Sequence, residues 1–165
     1  MTGRVWCFGH DVNTDLIQPI HAVLKPRAEQ PRYAFAASRP GWSDLVEPGD
    51  VIVAGRNFGT GSSRPAVRVL QDLGLAGLIA ESINGLFFRN CVNYAFPALE
   101  CPGALDGFAE GDDAELDLAA GTARNLTRRT TLAGRPWAPE LLLIQRAGGL
   151  IDQLRSEGLL RTPQP

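Results

Sequence analysis

Three short apolar segments, separated by two helix-like segments, restrict the fold of this chain more than any other feature. The apolar segments at residues 50–54, 77–80 and 98–101 have the length and composition of buried strands. Residues 62–73 and 83–94 carry apolar side chains at helical spacing between them. Parallel strands need such crossover helices. The order therefore predicts an α/β domain with a central βαβαβ parallel layer.

The flanking segments are predicted to be shorter elements packed around that layer. Three prolines interrupt residues 25–42, where only a short helix at residues 32–37 is expected. The remaining elements are expected as strands at residues 3–8, 115–118, 122–125 and 130–132 and as helices at residues 139–147 and 150–158. We expect one domain over residues 1–161, followed by a short tail at residues 162–165.

Composition excludes several classes of protein. The net charge is −2, and the arginines are scattered, so the chain has no basic face for nucleic acid. No apolar run approaches the roughly 18 residues of a membrane span, and the N-terminus lacks the apolar core of a signal peptide. We therefore expect a cytoplasmic protein that binds neither nucleic acid nor membrane. The three cysteines form no Cys-x-x-Cys pair, which argues against a disulfide framework.

The loop after the first buried strand is the strongest candidate for a functional site. Residues 57–64 read Asn-Phe-Gly-Thr-Gly-Ser-Ser-Arg and precede a predicted helix. Backbone N–H groups at a helix N-terminus favour an anion, and Gly61 allows a tight turn before Ser62, Ser63 and Arg64. One serine would act as a base, and Arg64 would bind a carboxylate. On spacing alone, a serine that only caps the helix and a solvent-exposed Arg64 explain the pattern equally well.

The same loop carries a family resemblance. It resembles the signature of the small, swivelling domain of aconitase-type hydro-lyases, and most closely that of the free-standing small subunits of 3-isopropylmalate dehydratases. Further matches follow in order along nearly the whole chain, at residues 11–17, 48–55, 80–83, 87–90, 111–112, 125–127 and 148–151. The resemblance implies the β/β/α swivelling-domain fold, which periodicity alone does not identify.

The resemblance also implies roles for individual residues. Ser62 matches the serine that removes a proton, and Arg64 the arginine that holds a substrate carboxylate, with Gly61 and Ser63 beside them. Asp15 matches an aspartate that orients catalytic groups supplied by the other subunit. A turn aspartate that satisfies its own backbone is the alternative for Asp15.

Two further residues are weaker candidates. Arg27 lies twelve positions after Asp15, the offset of a substrate-binding arginine in aconitases. His21 lies where the family recognises the variable group of the substrate, and the neighbouring Val23 and Leu24 would suit a small alkyl group. Neither His21 nor His10 has a partner at metal-ligand spacing, so we expect no metal site in this chain.

The loop departs from the family pattern at two places. Thr60 stands where a cysteine or an acid is usual, and Pro65-Ala66 replaces the usual Glu-His. We expect Pro65 at the first position of the helix, where a missing N–H is harmless. These departures favour a change of substrate or subgroup, although a loss of activity would also explain them.

Activity and partners follow from the resemblance. The family is a two-component hydro-lyase whose large subunit carries a [4Fe–4S] cluster, so this chain is expected to bind no cofactor and to be inactive alone, in a heterodimer or heterotetramer. The expected substrate is a 2-hydroxy dicarboxylic acid, by default 3-isopropylmalate, as in leucine biosynthesis. The alternatives are a methyl- or dimethyl-malate, a maleate-type acid, or a non-catalytic anion-binding module.

Overall fold

The computed structural model of the chain describes residues 2–61 and 64–160. Within those ranges it contains seven strands, seven α-helices and two 3₁₀ helices. The α-helices and strands are, in chain order, β1 (Thr2–Phe8), α1 (Thr14–Ile17), α2 (Ile20–Val23), β2 (Val51–Ala54), α3 (Ala66–Asp72), β3 (Gly77–Ala80), α4 (Gly85–Asn93), β4 (Ala98–Glu100), α5 (Ala104–Gly107), β5 (Asp113–Asp117), β6 (Thr122–Asn125), β7 (Thr130–Ala133), α6 (Pro139–Ala147) and α7 (Leu150–Ser156). The 3₁₀ helices are Arg27–Tyr33 and Trp42–Asp44.

The described strands form one mixed sheet in the order β4-β3-β2-β1-β5-β6-β7. Strands β1 to β4 are parallel, and β1 pairs with β2 so that Val5 lies opposite Val51. On its other side, β1 pairs antiparallel with β5, which β6 and β7 follow as an antiparallel meander. The α/β fold with a βαβαβ parallel layer is confirmed. Strand β1 joins that layer to the antiparallel half of the sheet.

Burial explains why the parallel strands were recognisable from sequence. All four residues of β2 and all four of β3 are buried. A parallel strand covered on both faces reads as a continuous apolar run, whereas β5 alternates buried and exposed residues as a half-exposed strand does. The parallel half is thus the part of the sheet that is covered on both faces, and its carboxyl edge is the natural place for a site.

Most predicted elements begin and end within two residues of the observed ones, but two helices differ. The helix predicted at residues 32–37 is wrong, because the chain instead forms a 3₁₀ helix at Arg27–Tyr33. Pro31 lacks an N–H, and Phe35 has a φ of +56°, which is incompatible with a right-handed helix through that residue. The second difference, at the start of α3, affects the candidate site and is described with it.

The predicted tail lies outside the described residues. None of the helices within residues 2–61 and 64–160 is long and apolar enough to cross a membrane.

Candidate active site

Three loops meet at the carboxyl edge of the parallel strands. We call residues 55–61, which follow β2, the glycine loop. Main-chain hydrogen bonds join it to the loop after β1, from Gly59 N–H to Val12 O at 2.7 Å and from Thr14 N–H to Thr60 O at 2.8 Å. On its other side, Phe58 N–H donates to Ser82 O in the loop after β3. The glycine loop is therefore held between its two neighbours by backbone contacts, and the side chain of Asn57 adds a hydrogen bond to Asp11 Oδ1 at 2.8 Å.

Two features of the glycine loop require the residues found there. Gly59 has a φ of +79°, and a Cβ at this position would lie 2.2 Å from Cγ of Phe87. Phe58 is fully buried and packs edge-on against the ring of Phe87, with ring centroids 5.4 Å apart. The aromatic pair anchors the loop on α4, and the absence of a side chain at Gly59 allows that close approach.

Asp15 and Arg64 are brought together beside this loop. Nη2 of Arg64 lies 3.1 Å from Oδ1 of Asp15, and Nη1 donates to the main-chain oxygen of Gln18 at 2.8 Å. The side chain of Arg64 is 19% exposed and that of Asp15 is 61% exposed. The Asp15 carboxylate therefore opens to solvent, while the guanidinium is fixed behind it.

The capping geometry of α1 bears on the alternative explanation for Asp15. Asn13 is the N-cap of α1, and its Oδ1 accepts the N–H of Leu16 at 2.9 Å. The local turn is thus satisfied by Asn13, and the Asp15 carboxylate is free to pair with Arg64. A purely local role in the turn does not describe Asp15.

The start of α3 differs from the prediction and changes the setting of Arg64. The helix begins at Ala66 instead of Ser62, and Pro65 is its N-cap rather than its first helical residue. A residue that precedes proline is disfavoured in the helical region, so Arg64 cannot continue the helix backwards. Arg64 therefore reaches Asp15 from the loop, and the anion site expected at the helix N-terminus, which includes Ser62 and Ser63, stays a prediction.

Ser62 and Ser63, the predicted base and its neighbour, lie outside the described residues. Gly61 is the last described residue before them and has a φ of +108°, and a Cβ there would lie 3.1 Å from Oγ1 of Thr14. The roles assigned to Ser62, Ser63 and Gly61 stay predictions.

Arg27 and His21 contact other groups. The guanidinium of Arg27 binds Asp72 of α3 with two hydrogen bonds, from Nε at 2.9 Å and from Nη2 at 2.8 Å. The ring of His21 packs edge-on against Tyr33, with centroids 5.3 Å apart. The role of Arg27 in binding substrate stays a prediction, and it would require the pair with Asp72 to open. The role of His21 is likewise untested.

Sequence reasoning assigned no site role to His10 and Glu81, which border the glycine loop. Nδ1 of His10 accepts the N–H of Arg56 at 2.9 Å, and the ring occupies the space that a Cβ on Gly55 would need. Oε2 of Glu81 lies 3.9 Å from the same Nδ1. Because Nδ1 accepts a hydrogen bond, it carries no proton there, and the contact is not an ion pair through that atom. His10 closely follows β1 and Glu81 follows β3, and this position at the carboxyl ends of parallel strands could have marked both as site candidates.

Gln18 was also missed, and nothing in the sequence marked it. It is 1% exposed, its main-chain oxygen holds Arg64, and its Nε2 donates to Gln30 Oε1 at 2.8 Å. The main-chain oxygen of Gln18 thus binds Nη1 of Arg64, while the Asp15 carboxylate contacts Nη2.

The cysteines are poor candidates for cluster ligands. Burial, followed by the nearby carboxylate of Glu110, raises the pKa of Cys7 to about 11. Burial also raises the pKa of Cys91 and of Cys101. Iron–sulfur clusters are bound by thiolates, which such surroundings disfavour. Within residues 2–61 and 64–160, no group of three or more His, Cys, Asp or Glu side chains is placed to hold a metal ion.

Comparison with known proteins decides the family. Residues 25–103 match the aconitase C-terminal domain family. The isopropylmalate/citramalate isomerase small subunit of Methanocaldococcus jannaschii is 37% identical over 157 residues, which cover 94% of each chain. The chain belongs to the family of 3-isopropylmalate dehydratase small subunits. The 3-isopropylmalate dehydratase small subunit of Deinococcus deserti is 40% identical over 157 residues, 93% of this chain and 87% of that one.

A solved structure confirms the fold of this small-subunit family member. The crystal structure of 3-isopropylmalate dehydratase from M. jannaschii superposes with a TM-score of 0.88 at 32% identity. The superposed region covers 96% of this chain and 95% of the M. jannaschii chain. The resemblance stated from the sequence is therefore confirmed, and the names of the relatives favour a hydro-lyase subunit over a non-catalytic module.

Proposed function

We propose that this chain is the small subunit of a two-subunit hydro-lyase that isomerises a 2-hydroxy dicarboxylic acid by removing and re-adding water. The observation that carries the proposal is the Arg64–Asp15 pair at the carboxyl edge of the parallel strands, in a chain that belongs to the dehydratase small-subunit family. A guanidinium held by a backbone oxygen is a ready receptor for a carboxylate.

Arg64 binds one substrate carboxylate in this proposal. An arginine has five N–H donors, and the contacts with Gln18 and Asp15 occupy one on each terminal nitrogen. The remaining donors are available to a carboxylate, which Arg64 meets in a fixed orientation. Restricting the guanidinium before binding lowers the entropy lost when substrate arrives.

Ser62 is proposed as the base, on the strength of the family resemblance. As the alkoxide, its oxygen takes the proton from the carbon next to the one that carries the hydroxyl, and Ser62 becomes a neutral hydroxyl. The C–O bond then breaks, the hydroxyl leaves as water, and a double bond forms between the two carbons. Re-addition of water in the opposite sense gives the isomer, and Asp15 orients the groups that protonate the leaving hydroxyl.

A large subunit completes the site. The names of the relatives imply such a partner, and the half-site formed by Asp15 and Arg64 has no second set of catalytic groups among the described residues. We propose that the partner carries a [4Fe–4S] cluster, which supplies a Lewis acid for the substrate hydroxyl. We further propose that the chain acts in the cytoplasm, with no affinity for nucleic acid or membrane.

The substrate is proposed to be 3-isopropylmalate, with citramalate and dimethylmalate as the nearest competitors. Among its relatives, the M. jannaschii protein is named for both isopropylmalate and citramalate. Helix α2, which carries His21, also presents Ile20 at 62% exposure and is followed by Leu24 at 83% exposure. These apolar side chains, next along the chain from α1 and Asp15, would suit an alkyl substituent better than a third carboxylate.

An assay with both subunits tests the proposal. The purified chain, mixed anaerobically with its cluster-loaded large subunit, is tested with isopropylmalate, citramalate, dimethylmalate and citrate while the absorbance of the unsaturated acid is followed. We expect turnover of an alkyl-malate only with both chains present. Turnover by this chain alone would refute the divided site.

The Ser62→Ala variant tests the base. We expect its turnover to fall by about 10²-fold or more while assembly with the large subunit is unchanged. Ser156→Ala in α7 is the matched control, since that hydroxyl only donates to Gln153 O. Full activity of Ser62→Ala would assign the base to another residue.

A further inference from the structure

A cavity outside the candidate active site lies between the end of β4, the start of α4 and residues 135–141. Its volume is about 380 Å³, within the range of small-molecule sites. Its walls are mostly apolar and include the side chains of Phe88, Trp137 and Leu141. Phe88 and Trp137 pack edge-on with centroids 5.5 Å apart, and Trp137 Nε1 donates to Ala98 O at 2.7 Å, so this wall is fixed.

One carboxylate and one guanidinium border the same cavity. Oε1 of Glu100 accepts the N–H of Ile83 at 2.9 Å. Oε2 lies 3.8 Å from Nη1 of Arg135, which is too long for a hydrogen bond. Within residues 2–61 and 64–160, neither Oε2 of Glu100 nor the side chain of Arg135 makes a hydrogen bond. Both charged groups therefore have unused bonding capacity that faces the cavity.

The main chain keeps these two residues side by side. Arg135 N–H donates to Glu100 O at 2.8 Å, so the pairing does not depend on the side chains. The Arg135 side chain is 83% exposed, and it can turn without disturbing any packing. The Glu100 carboxylate is only 28% exposed and stays fixed by Ile83.

We propose that this cavity binds an α-amino acid with an apolar side chain. Neighbouring opposite charges on the protein are matched by a ligand that carries its own opposite charges on neighbouring atoms, as the ammonium and carboxylate of an amino acid do. The ammonium donates to Oε2 of Glu100, the carboxylate binds Arg135, and the side chain lies against Phe88, Trp137 and Leu141. A dicarboxylate is disfavoured there because Glu100 repels it.

The site is linked to the glycine loop by two hydrogen-bonded steps. Ile83, which donates to Glu100, lies between Ser82 and Asn84. Ser82 O accepts the N–H of Phe58, and Asn84 N–H donates to Phe58 O at 2.8 Å. An amino acid on Glu100 thus acts on the segment that positions Phe58, and we expect slower amide hydrogen exchange at residues 57–59 when it is bound.

Isothermal titration of the full chain tests the proposal without any assay of activity. The probes are L-leucine, L-valine and L-phenylalanine. 4-Methylpentanoate lacks the ammonium of leucine, and 3-methylbutylamine lacks its carboxylate. We expect at least one amino acid to bind at least about tenfold more tightly than either leucine analogue, since each removes a charge-assisted hydrogen bond. Absence of binding by all three amino acids up to about 10 mM overturns the proposal.

Two variants locate the binding. Glu100→Gln retains an oxygen for Ile83 N–H but loses the charge, and Arg135→Ala removes an exposed side chain; each is expected to weaken amino-acid binding by about tenfold. Glu115→Gln and Arg124→Ala, which separate the ion pair between β5 and β6, are the matched controls and should bind as the wild type does. Equal affinity in Arg135→Ala and in the wild type overturns the assignment to this cavity.

Discussion

Nη2 of Arg64 lies 3.1 Å from Oδ1 of Asp15. This contact joins the segment after the glycine loop to helix α1, in which Asp15 lies. The main-chain oxygen of Gln18, just after that helix, accepts a hydrogen bond from Nη1 at 2.8 Å. The guanidinium can therefore turn only if both contacts break. This arrangement makes the orientation of Arg64 depend on Asp15.

Asp15→Asn is expected to lower turnover of the complete enzyme by about 10²-fold, because a misplaced carboxylate receptor misaligns the substrate. The free energy of unfolding should change by less than about 1 kcal/mol, since exposed ion pairs contribute little. Steady-state kinetics with the large subunit and urea denaturation measure the two effects. Asp152→Asn in α7, whose carboxylate binds Arg155, is the control and should leave turnover unchanged. A decrease in the free energy of unfolding as large as the loss of transition-state stabilisation would contradict an orienting role for Asp15.

Gly59→Ala is expected to reduce the free energy of unfolding by about 2–4 kcal/mol, from a positive φ combined with a clash in a packed site. The added Cβ would lie 2.2 Å from the ring of Phe87, which cannot move because it supports Phe58. Urea denaturation measures the change. Gly85→Ala, whose Cβ would meet nothing within 4 Å, is the control and should be neutral or slightly stabilising. Similar stability of the two variants would show that the loop adapts.

Acid should destabilise the domain in part through Asp112. A hydrogen bond from Ala109 N–H, followed by those from Asn125 and Arg128, holds the pKa of Asp112 below its ordinary value of 3.8. The unfolded chain then takes up a proton at higher pH than the folded one. This contribution to stability is present above about pH 4 and is lost as the pH falls through the folded pKa.

Asp112→Asn tests this pH dependence. The difference in unfolding free energy between pH 6 and pH 3, measured with urea, should be smaller in the variant than in the wild type. Asp113→Asn, at the exposed neighbouring position, controls for the change in net charge. An unchanged difference in Asp112→Asn would remove Asp112 from the acid response.

The cysteines should react slowly with iodoacetamide in the folded chain. With its pKa raised to about 11, Cys7 is expected to be thiolate in only about one molecule in a thousand at pH 8. Cys91 and Cys101 are fully buried and should react only on unfolding. Mass spectrometry of alkylated peptides, with the urea-denatured chain as the reference, measures each rate. Alkylation of folded Cys7 at the rate of the denatured chain would contradict the predicted protection.

The sequence predicted the parallel half of the fold well, because β2 and β3 are buried on both faces and therefore appear as uninterrupted apolar runs. It could not show that β1 pairs with both β2 and β5, since pairing partners lie far apart in the chain. The start of α3 lies later than the apolar spacing predicts, because Pro65 disfavours the helical region for Arg64.

The site was predicted only in part, because its residues also lie far apart in the chain. Asp15 and Arg64 were each singled out by local patterns, but 49 positions separate them, and only the folded chain brings their charges into contact. Gln18 acts through a main-chain oxygen, which any residue could supply, so no residue type could have marked it. The pairing of Glu100 with Arg135 likewise depends on a backbone contact at the edge of β4.

The backbone contacts that hold the glycine loop have an evolutionary consequence. Because Val12 and Thr60 contact their neighbours in this edge through main-chain oxygens, exchanging their side chains leaves these hydrogen bonds in place. Lineages can therefore replace the residues around this edge and acquire new substrates while the scaffold persists. The unusual Thr60 and Pro65-Ala66 of this chain are the kind of change that such a framework tolerates.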